Sequence, residues 1–214
     1  MDKSKEISEK IAEKLLEVKA VKLQPNEPFT WASGWKSPIY CDNRIALSYP
    51  GIRSFICDCL SQLIKSKFPT VDVIAGVATA GIPQATLIAN KLHLPLCYVR
   101  SSPKEHGMGN TIEGKVDADQ KVVVVEDLIS TGSSSLKAVK ALRDAGVEVL
   151  GLVSIFTYGF QLATDNFEKQ NCAFYSLSDF NVLTERAINS GYIKAEDLIT
   201  LTNWRNNPSE WMQK

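Results

Sequence analysis

Four consecutive valines, Val122–Val125, restrict this chain more than any other stretch. The run is too short to span a membrane and too rich in β-branched side chains for a helix, so it reads as a strand buried on both faces of a parallel sheet. Two carboxylates, Glu126 and Asp127, stand where that strand is expected to end. Leu128 and Ile129 then lead into Ser130-Thr131-Gly132-Ser133-Ser134-Ser135, and the apolar spacing over 136–142 predicts a helix. A turn feeding a helix N-terminus presents unpaired N–H groups and the positive end of the helix dipole, which together suit a phosphate. Gly132 permits close approach or a positive φ, and the hydroxyls of Ser130, Thr131, Ser133 and Ser134 add donors without bulk. A larger side chain at 132 is expected to crowd the phosphate while leaving the sheet folded. The two acids fit beside a phosphate if a polyol separates them, because carboxylates accept hydrogen bonds from hydroxyls. The plain alternative is an ordinary helix cap after a buried strand.

The same alternation recurs along the chain. Ile7, Ile11, Leu15 and Val18 share one face of a first helix over 3–19, and an aromatic, Gly- and Pro-rich stretch over 29–51 reads as a hairpin. A helix over 52–68 is stopped by Pro69, a strand over 71–76 follows, and a helix of about ten residues starts near Ile82-Pro83. Gly76 and Gly81 have Walker A spacing, yet Ile82-Pro83 replaces the required Lys-Ser/Thr, which argues against a nucleoside triphosphatase. A strand over 95–100 runs into a polar, glycine-rich stretch over 101–115 that carries Lys104 and His106 just after Arg100. Its glycines miss the dinucleotide fingerprint because position 112 is isoleucine. Further strands are expected over 147–156 and 173–177, helices near 160–170 and 179–190, and a polar C-terminal helical region containing Trp204 and Trp211. Strands alternating with helices imply a parallel sheet with ligands at the strands' carboxyl ends.

Composition narrows the partners. In 214 residues, 24 Lys and Arg balance 24 Asp and Glu, so no global field draws the chain to nucleic acid or a membrane surface. No apolar run approaches the ~20 residues of a spanning helix, and the N-terminus carries no apolar signal core, from which a cytoplasmic location is expected. The five cysteines, Cys41, Cys57, Cys59, Cys97 and Cys172, form no CxxC pair and read as reduced packing residues, and the two histidines, His93 and His106, lack zinc-site neighbours.

The stretch from Glu126 to Ser134 resembles the ribose-5-phosphate loop of type I phosphoribosyltransferases, and Glu-Asp at its head resembles the orotate phosphoribosyltransferases. Phe29-Thr30, Ser33-Gly34 and Ser37-Pro38 are similar to that family's hood segment, and Lys104-x-His106-Gly107 after Arg100 is similar to its mobile catalytic loop. The likeness extends from Phe29 through the last strands. It implies an α/β fold, a central mostly parallel sheet flanked by helices, in a single domain over 1–214 with a core about 52–158 and a small hood from about 20–50 and 172–214. It implies transfer of ribose 5-phosphate from 5-phosphoribosyl 1-pyrophosphate (PRPP) to orotate, giving orotidine 5′-monophosphate and pyrophosphate. In that reaction Arg100, Lys104 and His106 would be catalytic, while Glu126, Asp127, Leu128, Ile129 and the residues Ser130, Thr131, Gly132, Ser133 and Ser134 would bind PRPP. Thr79 and Ala80 would hold its pyrophosphate, and Ser130 would also reach orotate. Mg2+ would be held mainly by PRPP and water, with no direct side-chain ligand. A homodimer with shared active sites is implied as well, with neither nucleic acid nor membrane as partner. Ala32 and Ser101 stand where some members carry basic residues, and no arginine follows Thr157-Tyr158, so Lys36 and Arg44 are both candidates for the orotate carboxylate. A salvage phosphoribosyltransferase for another base, or a non-catalytic PRPP-sensing regulator, would share the sugar-phosphate loop.

Overall fold

The computed structural model describes residues 3–31, 34–100 and 111–212. In chain order these form α1 (Lys3–Glu17), β1 (Val21–Leu23), β2 (Phe29–Thr30), β3 (Lys36–Ser37) and β4 (Ile39–Cys41), then a 3-10 helix (Asn43–Ser48) and α2 (Pro50–Lys67). There follow β5 (Val73–Val77), α3 (Gly81–Leu92), β6 (Leu96–Val99), β7 (Ile112–Glu113), β8 (Lys121–Ile129), α4 (Ser133–Asp144) and β9 (Glu148–Thr157). The chain continues through α5 (Gln161–Lys169), β10 (Phe174–Asp179), α6 (Phe180–Asn189) and α7 (Asp197–Asn206).

The main sheet has the order β10-β9-β8-β5-β6-β7, parallel throughout except for β7, which pairs antiparallel with β6. The valine run explains how β8 comes to lie inside it. Val123 and Val125 enter a core shared with α1, α2 and α3, while Val122 and Val124 enter a second core against α4 and α5. Side chains alternate across a strand, so only an unbroken apolar run fills both faces at once. At about 1.5–3 kcal/mol for each fully buried valine, no register that exposed one face would compete.

From β5 the chain crosses to β6 on one side, then returns to place β8 on the other side of β5. That reversal opens a crevice beyond the carboxyl ends of β5 and β8, where ligands bind in open α/β sheets.

Several boundaries depart from the sequence expectation. β8 continues through Glu126 and Asp127 to Ile129, because β9 reaches Thr157 and supplies ladder partners as far as Leu128↔Phe156 and Ile129↔Thr157. The ladder is made by backbone groups and is indifferent to side-chain charge. Within the stretch read as irregular after Arg100, Ile112 and Glu113 pair with Val99 and Tyr98. The expected C-terminal helical region splits: Trp204 lies in α7 and is completely buried, whereas Trp211 follows the helix in a turn.

Candidate functional site

The turn after β8 is anchored from three directions. Asn43 Nδ2 donates to the Asp127 carbonyl at 2.8 Å, Thr157 Oγ1 and the Tyr158 N–H both donate to the Ile129 carbonyl, and Asn166 Nδ2 donates to the Thr131 carbonyl at 3.0 Å. Gly132 closes the turn with φ +77°, and no side chain caps α4, so its first-turn N–H groups face the crevice. A Cβ on Gly132 would stand 2.6 Å from Phe167 Cε2, so the position is tied to the packing of α5. A larger side chain there would press on a helix beside the sheet as well as narrow the turn. At the start of α3, a Cβ on Gly81 would collide with the Val125 carbonyl, and only glycine lets that helix start so close to β8.

Ser130, Thr131, Gly132, Ser133 and Ser134 line a cavity of about 440 Å³ together with Val77, Ala78, Val99, Arg100, Leu128, Ser135, Lys137 and Ala138. Arg100 stands at its edge, with Nη1 3.4 Å from Glu113 Oε1. Thr79 and Ala80 occupy the β5–α3 connection at the same end of the sheet, next to the lining residue Ala78. Lys104 and His106 lie outside the described residues, as do Ala32 and Ser101.

Glu126 is buried, 5% exposed, and Asp127 is half-buried. Glu126 Oε1 accepts from the Asp127 N–H at 3.1 Å and Oε2 accepts from Ser135 Oγ at 3.2 Å. Burial, reinforced by the neighbouring Asp127 charge, pushes the Glu126 carboxyl up to about 9, and burial raises Asp127 as well. Two acids this close in a poorly solvated place oppose each other's ionisation, and both carboxyls are held above their ordinary values.

A second cavity, about 490 Å³, is lined by Thr30, Trp31, Tyr40, Cys41, Leu128, Ser130 and Tyr158. Its walls are mainly aromatic and apolar. Neither Lys36 nor Arg44 lines it: Lys36 Nζ donates to Thr30 Oγ1 at 2.8 Å, and Arg44 forks onto both Asp42 oxygens at 2.7 and 2.8 Å. Sequence reasoning missed Asn43, Ser135, Lys137, Asn166, Trp31 and Tyr158. Ser135 and Lys137 extend the recognised turn and were there to be found, but the others reach the site only through folding.

A parallel sheet bearing an acidic pair, a hydroxyl-rich phosphate turn and a cationic strand end at one crevice is the architecture of a phosphoribosyltransferase, and residues 50–181 match the Phosphoribosyl transferase domain family. The chain is 54% identical over 204 residues to the orotate phosphoribosyltransferase of Cytophaga hutchinsonii, covering 95% of this chain and 98% of that one. It is 56% identical over 201 residues to the orotate phosphoribosyltransferase of Bacillus caldolyticus, covering 94% and 97% respectively. Among solved structures, the orotate phosphoribosyltransferase of Aeropyrum pernix superposes with a TM-score of 0.73 at 27% identity, over 86% of this chain and 99% of that one. The chain belongs to the orotate phosphoribosyltransferases, pentosyl-transferring enzymes of pyrimidine biosynthesis.

Proposed function

We propose that the chain transfers ribose 5-phosphate from PRPP to orotate with the donor in the 440 Å³ cavity and the base in the 490 Å³ cavity. One observation carries this assignment: the two cavities share Leu128 and Ser130 as lining residues. Ligands in the two spaces would meet at Leu128 and Ser130, where the sugar C1 and the base nitrogen must come together.

In this reading Ser130 to Ser134 hold the 5′-phosphate, Asp127 with Glu126 receives the ribose diol along the stretch through Leu128 and Ile129, and the Thr79-Ala80 turn receives pyrophosphate. The C1–N bond forms as the C1–O bond to pyrophosphate breaks, the base gives up its nitrogen-bound proton, and negative charge grows on the leaving oxygens. Arg100, with Lys104 and His106 of the neighbouring stretch, neutralises that charge, and Lys137 adds a cation at the donor cavity. The products are orotidine 5′-monophosphate and pyrophosphate. Ser130 also touches the base. Lys36 is the better of the two candidates for the orotate carboxylate, because it contacts the lining residue Thr30 while Arg44 is occupied by Asp42.

Mg2+ would be carried by PRPP and water, with the Glu126 carboxyl already engaged by Ser135. Bound there, the ion would act as a Lewis acid and template for the diphosphate. We further read the protein as one domain over 1–214, its core about 52–158, with a hood drawn from about 20–50 and 172–214 in which β10 serves as both sheet edge and hood root. It would work as a cytoplasmic homodimer whose Lys104 loop reaches the neighbouring site. No described helix is long and apolar enough to cross a membrane.

The test is orotate absorbance in the presence of the purified protein. Depletion is expected only when PRPP and Mg2+ are both present. Turnover of uracil or a purine base instead would replace this reading with a salvage enzyme, and PRPP binding without turnover of any base would replace it with a sensor.

A further inference from the structure

Trp204 sits in α7, far along the chain from every motif that marks the site, yet it is completely buried. Its ring meets Trp31 at 5.7 Å and 79°, Tyr158 at 5.6 Å and 83°, Phe160 at 5.4 Å and 66°, and Phe180 at 6.0 Å and 40°. Two of these neighbours, Trp31 and Tyr158, are walls of the 490 Å³ cavity, and they also touch each other at 5.3 Å. The indole of Trp31 is further pinned by donating Nε1–H to the Ile39 carbonyl at 3.2 Å. Trp204 thus presses edge-on against both aromatic walls from behind.

The Trp204 Nε1–H is buried and has no hydrogen-bond partner among the described residues. Such a group carries a desolvation cost, which a phenylalanine or leucine at this place would avoid. What Trp204 supplies is the extent of its ring. Edge-to-face contacts fix the tilt of neighbouring rings as well as burying area, so a smaller residue would leave Trp31 and Tyr158 free to lean into the cavity.

We propose that Trp204 is a positioning residue for the acceptor base: by wedging against Trp31 and Tyr158 it sets the width of the base cavity, so that the C-terminal helix takes part in choosing the base. The proposal rests on the 490 Å³ cavity being the orotate site. The phosphate turn meets this cluster only through the backbone N–H of Tyr158, and its other anchors, Asn43, Thr157 and Asn166, lie outside it. The effect should therefore fall on the base and spare the donor.

The experiment compares Trp204→Leu, Trp204→Phe and Phe180→Leu by steady-state kinetics, with thermal melts alongside. Phe180 makes a ring contact with Trp204 and, among the described residues, none with Trp31 or Tyr158, so its truncation costs packing without removing the wedge. Trp204→Leu should raise the KM for orotate about three- to tenfold with the KM for PRPP unchanged, the size expected for losing an aromatic pair or two. Trp204→Phe should recover most of that loss, and Phe180→Leu should lower Tm while leaving both KM values at wild type. An unchanged orotate KM in Trp204→Leu, or equal shifts in both KM values for Trp204→Leu and Phe180→Leu, overturns the proposal. If the leucine variant does not fold, the orotate KM of Trp204→Phe decides: a selective rise of about twofold supports the wedge, and none removes it. Absence of orotate turnover in the wild-type protein would instead strike the underlying assignment of the cavity.

Discussion

The phosphate turn and the base cavity share Leu128 and Ser130 but are assembled in different ways. Six consecutive residues, Ser130 to Ser135, provide most of the polar lining of the first, and the backbone conformation at Gly132 does the rest. The second takes Thr30, Trp31, Tyr40 and Cys41 from the N-terminal hairpin region, Leu128 and Ser130 from the end of β8, and Tyr158 from just past β9. A phosphate is the same ligand in every reaction of this type, and a local turn on a helix N-terminus recognises it through main-chain groups. A base has to be distinguished from other bases by shape, which requires walls from several directions. On the proposed assignment, local motifs encode the shared half of the substrate and tertiary packing encodes the selective half.

Gly132→Val should give the largest effect and probes how local the turn is. With φ at +77° and Phe167 Cε2 2.6 Å from the added Cβ, the substitution should cost about 2–4 kcal/mol of stability and weaken PRPP binding at least about tenfold. Urea melts and a PRPP titration measure the two effects. Wild-type values for both would mean that neither the conformation at 132 nor its contact with α5 matters to the turn.

Glu126→Gln tests the joint between the two spaces. With its carboxyl near 9 in the folded protein and at the ordinary 4.5 when unfolded, Glu126 contributes stability that is fully present below about 4.5 and is lost as pH rises toward 9. Between those limits the unfolded chain releases a proton that the folded chain keeps. Wild-type stability should therefore fall by up to about 1.4 kcal/mol per pH unit from this group, while the glutamine variant should lack that slope. Denaturation at pH 5, 6, 7 and 8 provides the comparison, and parallel curves for the two proteins would show that Glu126 is ionised in the fold.

The smallest effect is expected from Lys36→Met. Lys36 is half-buried and its hydrogen bond to Thr30 is exposed, so removing its charge should raise the orotate KM only about two- to fivefold and leave the PRPP KM alone. Arg44→Met is the companion, expected to change less because Arg44 is forked onto Asp42. A larger loss at Arg44 would reverse the assignment of the carboxylate partner and redraw the base cavity toward the 3-10 helix.

What the amino-acid order determined by itself is the element pattern, the parallel sheet and the hydroxyl-rich turn proposed to hold phosphate. Each depends on residues close in sequence: the valine run that can only be satisfied between two cores, the glycine that alone tolerates its backbone angle, and the serines that begin a helix. Tertiary structure alone decided that β8 runs on past its two acids, because that depends on how far β9 extends beside it. It decided the upward shift of the Glu126 carboxyl, because burial and the neighbouring Asp127 raise it against the opposing hydrogen bond from Ser135 on α4. It also decided that Trp204 belongs behind the base cavity with Trp31 and Tyr158, since ring contacts between distant segments leave no spacing to read in the chain. Short-range signals survive in sequence because the backbone enforces them over a few residues, whereas burial, coupled charges and aromatic walls exist only once the chain has closed on itself.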